Sequence, residues 1–250
     1  MKRFRRLLSP VADTLGGLDR CLDRGWLGLL LVGLGLLAGW WVYVPLHELL
    51  HALACLAAGG EVTRLEIDAL YGGGLLARVF PFVVPASSYA GRLSGFDTGG
   101  NDLIYLATDL GPFVLTLFPG VWWMRRAAAA RNALLFGASL PYALAPFLSL
   151  PGDAYEIGSI VTTWLPPWSA PAVRELLRGD DLFLKMNQLA ELPGAPWGGA
   201  LVAMLLGVAW AFATYELGSF VARLTGVPSP SPARPERSID RRPNPQRSDP

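Results

Sequence analysis

The chain has 250 residues, of which 52% are hydrophobic and only 16% charged, and its mean hydropathy is +0.36. Soluble domains carry about 25% charged residues, so this composition argues against an ordinary soluble globule and for a membrane protein. The net charge of +1 offers no basic footprint, and no nucleic-acid partner is expected; two cysteines, Cys21 and Cys55, do not make a disulfide framework.

The opening MKRFRR is basic like the start of a signal peptide. The apolar stretch, however, begins only near Trp26, runs past the usual signal length and carries no small-residue cleavage site, so it reads as a retained anchor. Before it, Leu7, Leu8, Val11, Leu15, Leu18 and Leu22 recur at helical spacing and predict an amphipathic helix on the membrane surface. Residues 26–58 exceed the roughly 20 residues that a crossing needs, and Pro45 is the natural place for a bend. Residues 61–100 alternate strand-like runs, EVTRLEI and LLARVFPFVV, with glycine clusters, and predict a short β-hairpin-like segment. Further spans are expected at 103–123, from Ala133 to Leu165 with interruptions at Pro141, Pro146 and Pro151, and at 199–222. Residues 171–192 are again amphipathic, and from about residue 228 the chain turns rich in Pro, Ser and Arg, as disordered segments do.

The expected fold is therefore mainly α and polytopic. It has about four transmembrane helices, a short β-hairpin-like segment after the first, and amphipathic interfacial helices. Residues 1–25 form a basic, amphipathic amino-terminal segment, 26–222 the membrane-embedded domain, and 223–250 a disordered tail. Lys and Arg alternate accordingly. The amino-terminal segment holds six, the 124–132 loop three and the tail from Arg223 six, against three each in 59–102 and 151–198. This bias predicts cytoplasmic termini, with the 59–102 and 151–198 loops facing outward.

Ionisable groups within spans are costly and mark function by default. The chain's two histidines, His47 and His51, stand four apart in HELLH within the first span, so both imidazoles share one helix face. At that spacing they can hold one zinc ion, with Glu48 as general base for a metal-activated water. A third ligand has to be a carboxylate or thiolate. Asp153 leads, because it interrupts an apolar region behind three prolines; Glu156, Asp109 and Cys55 are the alternatives. Counted from the outer ends of their spans, His51 and Asp109 each lie about 12 Å deep, so the polar groups meet in the outward half of the bilayer.

With HELLHALACLAAGGEV, GGG at 72–74, DLGP at 109–112 and PGDA at 151–154, residues 37–165 resemble the site-2-protease-like intramembrane zinc metalloproteases, particularly their small bacterial members. The resemblance implies zinc held by His47, His51 and Asp153, with Glu48 as the catalytic base. It also implies a membrane-anchored protein substrate cut within the bilayer, and residence in a bacterial inner membrane. The chain departs from the family pattern in having Ala154 after Asp153 and no Asn-Pro pair ahead of it. An extended substrate segment is expected to add to the edge of a strand, with LLARVFPFVV the strand in view. The competing readings are a non-catalytic membrane protein that keeps the metal site for structure or regulation, and a metal or solute transporter. Four spans with one histidine cluster are thin for the latter.

Overall fold

The computed structural model describes residues 9–230; the basic opening MKRFRR with Leu7 and Leu8, and the tail beyond residue 230, lie outside the described residues. The chain is mainly helical. In order it forms α1 (Ser9–Cys21), α2 (Trp26–Ala57), β1 (Glu61–Ile67), β2 (Val83–Val84), β3 (Gly91–Asp97), α3 (Asp102–Leu110), α4 (Val121–Ala129), α5 (Ala133–Ala143), α6 (Asp153–Thr162), α7 (Pro171–Leu177), α8 (Leu182–Ala190) and α9 (Trp197–Leu224). Among the described residues, three helical stretches are long and apolar enough to cross a membrane: 26–57, 102–129 and 197–224. Large apolar side chains stay exposed along α2 and α9, among them Leu30, Leu37, Trp41, Leu201, Leu205 and Phe220, as lipid-facing surfaces require.

The third apolar region is not one long helix. It divides into α5, a short turn at Ala145–Leu148, and α6. Pro146 and Pro151 lack the amide that would continue the ladder, and each restricts the residue before it. Pro141, by contrast, sits inside α5, and Pro45 inside an unbroken α2. The 102–129 stretch is also irregular. Phe118, ahead of Pro119, has extended backbone (φ −163°, ψ 131°) between two helical pieces.

Glycines set the helix pairings. A Cβ on Gly35 would lie 2.0 Å from the Leu134 carbonyl, one on Gly39 2.2 Å from that of Ala138, and one on Gly137 2.0 Å from that of Val32. The backbones of α2 and α5 therefore touch, and the matched order of residues makes them parallel. On α6 and α9 the order is reversed: Gly158 meets the Ala203 carbonyl and Gly207 that of Ala154, so this pair is antiparallel. Gly111 in turn abuts Leu50 of α2.

The sheet has the order β2-β1-β3, with β2 parallel and β3 antiparallel to β1. EVTRLEI forms β1 as expected. LLARVFPFVV does not form a long strand: Gly72, at φ +82°, turns the chain into a helical turn at Gly73–Leu76, and only Val83 and Val84 pair. The long partner is β3, joined to β1 by 23 residues (68–90) rather than a tight hairpin. Its Ser94 hydroxyl and the Arg64 guanidinium both donate to Glu66 (3.0 and 2.8 Å). The Arg64 bond first, then that from Ser94, holds the Glu66 carboxyl below the usual carboxylate range.

The amphipathic 171–192 segment is two helices, α7 and α8, whose Leu177 and Leu189 pack with Ala200 and Trp168. The link between them carries Arg178, which forks onto Asp102 at 2.7 and 2.8 Å. α1 exposes Val11 and Leu15 of the expected stripe but packs Leu18 against the core, and it buries a charge on its other face. There Asp13 accepts from Arg125 Nε (2.9 Å) and Nη2 (2.5 Å) and from Tyr215 (2.9 Å), and Arg125 also donates to Ser219. Both members of the pair are 1% exposed. Asp13→Ala leaves the guanidinium buried without its carboxylate, a loss of about 3–5 kcal/mol. Thermal unfolding followed by fluorescence in detergent micelles should show a clear drop in midpoint. Asp23→Ala, which removes an exposed pair with Arg131, should cost under about 1 kcal/mol.

Candidate metal centre

The site lies where α2, α3, α6 and β3 meet. Positions 43, 47 and 51 recur every four residues and so lie on one face of α2. Tyr43 Oη is 2.7 Å from His47 Nδ1, and His51 Nδ1 is 2.9 Å from the backbone carbonyl of Thr108 on α3. A carbonyl only accepts, so His51 Nδ1 carries the proton and its Nε2 presents a bare lone pair. The two Nε2 atoms are 3.2 Å apart. Between them stands Asp153, the first residue of α6, with Oδ2 at 3.0 Å from His47 Nε2 and Oδ1 at 3.6 Å from His51 Nε2. Asp153 Oδ2 is buried and has no hydrogen-bond partner of acceptable geometry.

The two Nε2 atoms and the Asp153 carboxylate thus converge, and the imidazoles are oriented from outside the trio by Tyr43 and Thr108. Donors about 2.0–2.1 Å from a tetrahedral zinc stand about 3.3–3.4 Å apart, close to the spacings found here. Among the described residues, this is the group of three His, Cys, Asp or Glu side chains close enough to share an ion. A divalent metal fits it on three grounds: the bare Nε2 of His51, the orphaned carboxylate oxygen and the spacing. The supporting contacts from Tyr43 and Thr108 are the kind that fix imidazole tautomers at metal sites.

Of the other candidate ligands, none joins the trio. Glu156 is bound by the Tyr105 hydroxyl on α3. Asp109 is 3% exposed and its Oδ2 lacks a partner. Cys55 is buried near Gly60, its thiol 3.8 Å from the Glu61 carbonyl. Glu48 borders the same space: a Cβ on Gly91 of β3 would lie 2.5 Å from Glu48 Cγ, so the strand passes directly over this side chain.

A polar cavity of about 270 Å³ opens beside the trio. It is lined by Glu48, His51, Asp109, Asp153 and Glu156, by the edge of β3 from Gly91 to Phe96, and by Gly179 and Asp180 of the α7–α8 link. A larger groove of about 620 Å³ between α2, α3 and α9 is almost wholly apolar and has no ionisable lining residue, so the chemistry belongs to the smaller space.

Tyr43 was not among the expected site residues, although its four-residue spacing from His47 puts it on the same helix face. The Thr108 carbonyl and Gly91 carry no side-chain signal, and only the fold brings them in. Comparison with family models, with curated proteins and with solved structures gives no match.

His47→Ala and His51→Ala are each expected to abolish stoichiometric divalent metal in the purified protein, and Asp153→Asn to lower it, as read by elemental analysis. Tyr43→Phe keeps the ring and removes only the supporting hydroxyl; a competition titration with a chelator should show affinity falling about 10–100-fold.

Proposed function

We propose that the chain is an intramembrane zinc-dependent endopeptidase that hydrolyses a peptide bond of a membrane-anchored protein, as its resemblance to the site-2-protease-like metalloproteases implies. The observation that carries this reading is the convergence of His47 Nε2, His51 Nε2 and the Asp153 carboxylate at separations of 3.0 to 3.6 Å, with Glu48 lining the cavity that leads to them. A zinc held by these three would polarise a scissile carbonyl and favour ionisation of water near neutral pH.

The chain's own residues supply the rest. Glu48 takes the proton from the attacking water on its carboxylate and returns it to the leaving amide nitrogen. Tyr43 and Thr108 keep the two imidazoles facing inward. A helical peptide bond is internally hydrogen-bonded, so the substrate has to be drawn out before it can be cut. The free edge of β3, which lines the cavity, supports strand addition there rather than on the 75–84 run. The polar cavity gives water a path to the buried site. A metal kept only for structure has no use for a carboxylate at position 48 beside an open cavity, which favours the hydrolytic reading over the non-catalytic one.

The pairings support four crossings with cytoplasmic termini. α2 and α5 run parallel, α6 and α9 antiparallel, and counting 133–162 as one broken crossing makes the directions alternate as the Arg and Lys bias requires. α1, with Val11 and Leu15 outward, suits the membrane surface, and a bacterial inner membrane is the expected residence.

Glu48→Gln should lower cleavage of a fluorogenic membrane-anchored substrate in liposomes about 10²–10⁴-fold while leaving metal content unchanged. An unaltered rate would sink the assignment. Gly91→Ala forces Glu48 aside and is expected to lower kcat about 10²-fold, again with metal retained.

A further inference from the structure

The cavity holds two carboxylates that the hydrolytic step does not use, Asp109 and Glu156. Asp109 is 3% exposed and Glu156 6%. Asp109 Oδ2 has no hydrogen-bond partner, and the one side-chain bond made to Glu156 comes from the Tyr105 hydroxyl. Neither forms an ion pair among the described residues. Two cations stand nearby: Arg178 forks onto Asp102, and Arg92, which lines the mouth of the cavity and is half exposed, reaches toward Asp180 at 4.0 Å. Buried carboxylates without a cation are expensive to keep, and both line the space that opens onto the imidazoles.

We infer that this cavity is a specificity pocket that takes a lysine or arginine side chain of the substrate, held by Asp109 and Glu156. The inference rests on the endopeptidase reading for its substrate, but not for its chemistry. A second metal ion is the poorer occupant. Asp109 and Glu156 belong to no group of three ligands close enough to share an ion among the described residues, whereas a flexible side chain ending in several N–H donors can bridge carboxylates that a single ion cannot. The volume, about 270 Å³, is just below the range of about 300–1,000 Å³ typical of small-molecule sites, and suits a side chain. The edge of β3 lines the same space, and a segment added to it points alternate side chains to one face. One of these, near the scissile bond, enters the pocket. An apolar side chain there leaves both carboxylates unpaired, so the pocket discriminates by charge.

The test uses the full-length, zinc-loaded Glu48→Gln protein in detergent micelles. It measures, by fluorescence anisotropy, the binding of neutral transmembrane-type peptides in which one lysine, or norleucine in its place, is moved along the sequence. At one position lysine should bind at least about ten-fold more tightly than norleucine. Asp109→Asn and Glu156→Gln should each remove that preference while leaving the norleucine affinity and the zinc content unchanged. Glu156→Gln serves alone should Asp109→Asn lose zinc or fold. Equal affinities at every position overturn the inference. So does a preference that survives both substitutions, or a second equivalent of zinc that Asp109→Asn removes. A lysine preference in a protein whose wild type cleaves none of the peptides would leave the pocket standing and sink the endopeptidase reading. Cleavage without preference would do the reverse.

Discussion

Two imidazole nitrogens and a carboxylate oxygen, all bearing lone pairs and all buried, repel one another unless a positive charge sits among them. That electrostatic constraint organises the structure. His51 cannot relieve it by offering a proton from Nε2, because the Thr108 carbonyl has claimed its one neutral-state N–H. Asp153 stands at the first turn of α6, where a carboxylate favours the helix amino terminus. A cation among them would relieve the repulsion, and α2, α3 and α6 hold the three side chains where one ion could be shared.

The break at 144–152 is one such means. A straight helix through the third region would present Asp153 along its side, at a depth and angle set by the helical repeat. Breaking the crossing starts a new helix at Asp153. α6 is ten residues long, about 15 Å, and the eleven residues from His47 to the end of α2 at Ala57 span a similar length. The carboxylate and the imidazoles therefore lie at matching distances from the ends of their helices. Exposed backbone is tolerated at such depth only where protein covers it or it lines a polar cavity, and here the cavity, β3 and the α7–α8 link surround it.

Much of this was legible in the residues. His47, Glu48 and His51 declared themselves by type and spacing, and Asp153 by being a charge in an apolar run behind three prolines. β1 was legible because EVTRLEI alternates and is rich in β-formers. β3 was not: GRLSGFD has two glycines and an aspartate, and it is a strand because β1 pairs with it and the site packs against it, which is tertiary context overriding propensity. The 75–84 run misled in the opposite sense. Its composition favours a strand, but the glycines at 72–74 and the Asp68 side chain, which accepts from the Leu70 amide, make turns first. The buried Asp13–Arg125 pair was invisible because hydropathy assigns α1 an outward stripe and says nothing of what lies beneath it.

The glycine contacts of α2 carry a mechanical meaning. Where Gly35 and Gly39 meet α5 and Gly111 meets Leu50, main chain rests on main chain, with no rotamer between them to absorb a displacement. The helix that bears the imidazoles is thus a stationary strut. The link from Arg178 to Asp181 is held to other parts: Arg178 forks onto Asp102 of α3, and the Leu182 amide just beyond it bonds the Pro151 carbonyl, so this wall of the chamber follows α3 and the break before α6 rather than α2.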